Sequence, residues 1–147
     1  MKKIKHVICI FGVLFCNSVM LHAQFAGSIE VKNDLKCEVH YTIRGGTGPC
    51  GVIESTTFTI PPLTTMVHSA ALLGFSGISG AKQYPVVGCT SPTPPGVPFG
   101  PCPGSGLSIL LYTVSLSCVR CTDHWQFYGH YTVEPGPGAM AKLRFVP

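Results

Sequence analysis

The stretch "CVRCTDHWQFYGHY", residues 118–131, collects most of the side chains that could do chemistry. It holds Cys118, Cys121, His124, His130, Tyr128, Tyr131 and the single tryptophan, Trp125. Cys118, Cys121 and His124 offer three of the four ligands a structural zinc ion takes, but no fourth is evident. On a strand His124 and His130 point the same way, yet six residues at about 3.3 Å each set them roughly 20 Å apart. One ion cannot hold both, because its ligand nitrogens sit about 2 Å away. A thioredoxin-type C-x-x-C sits at a helix N-terminus, which lowers the thiol pKa; no helical or βαβ pattern adjoins this one. Haem attachment needs histidine directly after the second cysteine, where Thr122 stands. What remains is a staple. Positions i and i+3 of a turn lie within disulfide reach, so Cys118 and Cys121 can close a hairpin turn, or either can reach the strand at Cys37. No metal and no cofactor are expected.

The other histidines of the chain beyond residue 23 are His40 and His68, and its acids are Glu30, Asp34, Glu38, Glu54, Asp123 and Glu134. No G-x-S-x-G elbow, H-E-x-x-H helix or phosphate loop occurs. A Ser-His-Asp set could assemble only from distant residues, so no catalytic residue is assigned. Each histidine is expected on a polar, solvated strand face.

These side chains must be carried by strands. "CEVHYTIR" puts Cys37, Val39, Tyr41 and Ile43 on one face, with Glu38, His40, Thr42 and Arg44 on the other, a period of two. Ile29 and Val31 alternate with Glu30 and Lys32 just before, and Asn33–Lys36 is a turn by composition. "VIESTTFTI", "TTMVHSA", "LSILLYTVSLS" and "AKLRF" read as further strands; in the last, Ala141, Leu143 and Phe145 oppose Lys142 and Arg144. From His124 to Glu134, Trp125, Phe127, Gly129, Tyr131 and Val133 form the core face. His124, Gln126, Tyr128, His130 and Thr132 form the polar face. "HSAALLGF" is the nearest approach to a helix. Six to eight strands joined by Gly/Pro-rich turns predict an all-β protein, an antiparallel β-sandwich stapled by disulfides, with a small β-barrel as the alternative. "IEVKNDLKCEVHYTIRG" resembles the opening hairpin of many exported β-sandwich modules; the likeness spans those residues only and implies no site residue.

The start, "MKKIKHVICIFGVLFCNSVMLHA", has a basic head, an apolar run from Val7 to Phe15 and a small residue at Ala23. That layout predicts a signal peptide over 1–23 and export of a single domain, 24–147; a lipidated Cys16 is the alternative. The apolar run is too short to span a membrane. Lys2, Lys3 and Lys5 leave with it, so seven bases face six acids and no basic run survives for a nucleic acid. Six of the eight cysteines stay: Cys37, Cys50, Cys89, Cys102, Cys118 and Cys121. An even set in a short exported chain predicts disulfides throughout.

Residues 89–102 carry Pro92, Pro94, Pro95, Pro98 and Pro101, which favours a stiff loop over a strand. Closed by a Cys89–Cys102 bond, it would present Val97 and Phe99 to a partner. With the Gln126, Tyr128 and His130 face, this points to a non-catalytic binding or adhesion module for an extracellular glycan or protein. A structural subunit of a surface assembly, pairing through edge strands, is the second expectation, and a secreted hydrolase the third.

Overall fold

The computed structural model describes residues 26–47, 50–84, 96–112, 126–134 and 138–147. They form two packed sheets, a β-sandwich. The strands are β1 (Ser28–Asn33), β2 (Val39–Gly45), β3 (Ile53–Glu54), β4 (Phe58–Ile60), β5 (Thr64–Ser69), β6 (Ile78–Tyr84), β7 (Val97–Phe99), β8 (Ser108–Tyr112), β9 (Gln126–Val133) and β10 (Met140–Val146). The first sheet runs β5-β1-β10-β9-β8; the second runs β3-β2-β6-β7, with β4 also on β2. All pairings are antiparallel except β1 with β10, which run side by side in parallel. β8 and β9, expected as the arms of a hairpin, pair antiparallel from Ser108↔His130 to Tyr112↔Gln126, and the connection between them lies outside the described residues. Cys118, Cys121, His124 and Trp125 lie outside the described residues.

Alternation places the core as expected. Ile29, Val31, Tyr41, Ile43, Ala141, Leu143 and Phe145 are fully buried, as are, nearly, Phe127 and Tyr131. "HSAALLGF" makes a single 3-10 turn, Ala71–Leu73, stopped by Gly74 in the left-handed region.

Two readings of the chain need correction. Asn33–Lys36 does not close a hairpin: β1 and β2 belong to opposite sheets, and these residues turn the chain across the core. The buried Asn33 amide holds that corner. Its Nδ2 donates to the carbonyls of Cys37 (2.7 Å) and Pro61 (3.0 Å), and its Oδ1 accepts from the Leu35 N–H (3.0 Å). Leu35 seals the corner from inside. Second, the proline-rich segment is not all loop. Val97–Phe99 pairs with β6, Pro98 lying opposite Lys82. Proline is accepted there because β7 is the sheet's edge, where an N–H is not needed on the outer side.

Tyr131 brings a hydroxyl into the core, 1% exposed, and its Oη finds no hydrogen-bond partner among the described residues. A buried polar group left unpaired costs about 1–3 kcal/mol. Tyr131→Phe should therefore leave stability unchanged or raise it by about 1 kcal/mol in urea denaturation. A loss of that size would mean the hydroxyl is satisfied after all.

Candidate ligand-binding face

The outer face of the first sheet is built by strands that each bury one side. On β9 the inward set is Phe127, Gly129 and Tyr131, which turns Tyr128, His130 and Thr132 to solvent. Tyr128 is 44% exposed. Its ring is parallel to that of His130, with centroids 6.0 Å apart and planes at 10°. His130 Nδ1 lies 2.9 Å from Ser108 Oγ across the ladder, which fixes the ring. Leu110 and Val146 flank Tyr128 from the neighbouring strands, and Arg144 sits opposite His130. Gln126 is in β9 opposite Tyr112; its side chain lies outside the described residues.

Charge on this face is held in pairs. Asp34 accepts from Arg144 and meets Lys32 at 3.1 Å, and the Arg144 hydrogen bond holds its carboxyl below the usual range. Lys142 donates to Glu134, which raises the Lys142 pKa. The opposite sheet carries a similar knot. Glu54 accepts from Tyr84 Oη (2.7 Å), Lys82 Nζ (3.2 Å) and Thr42 Oγ1 (3.4 Å). Burial would raise its pKa, but the Tyr84 and Lys82 hydrogen bonds outweigh that and lower it. A carboxylate so occupied is a cross-strand tie rather than a general base.

Val97 and Phe99 do not form a presented pair. Phe99 is fully buried and Val97 packs, half-buried, against the core. The Cys89–Cys102 bond is not formed either, because Cys102 is bonded to Cys50, with Cα atoms 5.7 Å apart. The topology explains it. β2 and β7 are both antiparallel to β6, so they run the same way and end at the same edge of the sheet. Cys50 and Cys102 follow just after those two ends. Cys37 is also disulfide-bonded, to a cysteine outside the described residues; Cys89, Cys118 and Cys121 lie there.

The sequence reading missed a second cluster. His68 was expected on a solvated face, but it lies opposite Ile29 in the β5–β1 ladder and faces inward, half-buried. Tyr41 Oη lies 2.6 Å from His68 Nε2, and the Phe58 ring is 4.3 Å from the imidazole centroid to centroid. Met66, on the same face of β5, brings Sδ to 3.9 Å from the same hydroxyl. Burial disfavours charge at both titrating groups, pushing Tyr41 up and pulling His68 below its ordinary 6.5. Tyr41 is then the donor and His68 the acceptor. The unfolded chain binds a proton at His68 more readily than the folded one. Stability from this site is therefore intact above about pH 6.5 and falls as acid titrates the unfolded ring. His68→Gln should flatten the slope of denaturation midpoint against pH between about 7 and 5; an unchanged slope would exclude His68 as its source.

Among the described residues no three of His, Cys, Asp and Glu converge as a metal site, and no helix is long and apolar enough to cross a membrane. Comparison with known protein families, with curated proteins and with solved structures finds no match to the chain.

Proposed function

We propose that the chain is an exported, non-catalytic binding module that recognises a glycan through the outer face of its first sheet. The observation that carries this reading is the exposed, parallel Tyr128–His130 pair, immobilised by Ser108 and flanked by Leu110 and Val146. A sugar offers apolar C–H faces and a rim of hydroxyls. Aromatic side chains with polar tips match that mixture, and their few rotatable bonds keep the ordering cost low. The disulfides at Cys37 and Cys50–Cys102 favour an oxidising compartment, in keeping with a signal peptide over 1–23. The test is a glycan array probed with protein lacking residues 1–23, followed by titration of the best ligand. Tyr128→Ala should weaken binding by about 30-fold, the size of an aromatic hot spot, without moving the unfolding midpoint. Absence of glycan binding, or a Tyr128→Ala variant that binds as tightly, rejects the reading.

One observation favours a structural subunit instead. β5 is an edge strand, Thr64–Ser69, with no charge or proline to guard it, and Leu63, Val67 and Leu72 beside or within it are 69%, 60% and 89% exposed. Unguarded edges pair with other chains. Light scattering on purified protein decides: a monomer at high concentration removes this alternative.

A further inference from the structure

We propose that Met66 and His68 form a binding site for copper(I) at the open edge between the two sheets. Met66 and His68 stand two apart on β5, so both side chains leave the same face and point inward, against Val31 and Ile29. β5 is the last strand of its sheet, and both side chains are only partly buried there. Their donor atoms converge: Met66 Sδ and His68 Nε2 both contact the single hydroxyl of Tyr41, at 3.9 and 2.6 Å. A thioether and a neutral imidazole are soft and borderline ligands, the kind that select copper(I) over hard cations. Neither has an ion-pair partner among the described residues, so the site supplies no negative charge for a calcium or magnesium ion, which require oxygen ligands.

The surroundings fit a monovalent ion. Phe58 lies tilted over the imidazole and Tyr41 stands edge-on to it, ring centroids 4.3 and 5.8 Å away. Aromatic faces attract a desolvated cation and exclude water. On binding, the Tyr41 hydroxyl gives up its hydrogen bond to Nε2 and stays a neutral phenol beside the ion. Cys37, Cys50 and Cys102 are locked in disulfides, so among the described residues methionine is the soft sulfur left free to act.

The experiment titrates the oxidised protein with copper(I) against a chromophoric chelator, with silver(I) as a redox-inert stand-in followed by NMR. One equivalent should bind, with shifts centred on the Met66 methyl and the His68 ring, and zinc should not displace it. Met66→Leu conserves volume and should fold normally. It and His68→Gln should each lower copper(I) affinity by about 100-fold or more, beyond what changes behind a ligand produce. The proposal fails if the wild-type protein does not compete with the chelator, if Met66→Leu binds as tightly, or if zinc competes equally. Glycan binding through Tyr128 is a separate readout and should not change in either variant.

Discussion

Replacing both Cys50 and Cys102 by serine should lower the unfolding free energy by about 4 kcal/mol. The bond spans 52 residues of sequence. Loop-closure entropy makes a cross-link worth about 3 kcal/mol for a 15-residue loop and about 4.7 for 100 residues, and this one falls between them. The bond joins the segments that leave β2 and β7 at one end of the second sheet. Those strands are not neighbours, since β6 lies between them, so the cross-link ties the sheet across its width. Freed of it, the unfolded chain expands, and the urea m-value should rise as stability falls. The variant is preferable to a reducing agent, which would also open the bond at Cys37. A loss under about 1 kcal/mol with an unchanged m-value would mean that the unfolded chain is compact without the link.

Much of this fold can be read from alternation alone, and the reasons for the rest are specific. Ile29/Val31, Tyr41/Ile43, Phe127/Tyr131 and Leu143/Phe145 each declare a buried face, and each is buried. The same rule exposes Tyr128 and His130. Alternation says which side of a strand is covered, but not which sheet the strand joins. β1 and β2 therefore read as partners until the Asn33 corner separates them. β6 escapes notice because "ISGAKQY" has Ser79 and Gly80 where apolar residues would mark a strand. Gly80 is needed there: a Cβ would lie 2.2 Å from the Phe99 carbonyl oxygen, where β7 crosses close. His68 was misplaced for a related reason. In "TTMVHS" the most strand-like residue, Val67, suggests the buried face, yet on the edge strand β5 it points outward and Met66 and His68 point in. Disulfide pairing depends on topology, and sequence proximity of Cys89 to Cys102 carries no information about it.

The Phe99–Gly129 contact should show strong coupling between the two sheets. Phe99 reaches from β7 in the second sheet across to β9 in the first, and its ring occupies the space above Gly129. A Cβ at Gly129 would sit 2.4 Å from Phe99 Cζ and 2.5 Å from Cε1. The ring is fully buried and meets Phe145 edge-on, centroids 6.3 Å apart at 83°, while Phe127 packs on Phe145 in the same way at 6.2 Å. It therefore has little room to yield. Phe99→Ala removes the bridge and should cost about 3–5 kcal/mol, the range for a buried large aromatic. Gly129→Ala adds one methyl to a filled space and should cost about 1–3 kcal/mol. That outcome runs against the usual benefit of alanine over glycine in a strand, which is roughly 0.5–1 kcal/mol. The double variant separates steric conflict from any backbone effect. With Phe99 truncated, the Gly129→Ala methyl enters the vacated space, so its cost should vanish or change sign. The two costs should then fail to add by about 1–3 kcal/mol. Additive costs would mean that the ring can move aside, and that the two sheets are held in register by Phe127 and Phe145 without it.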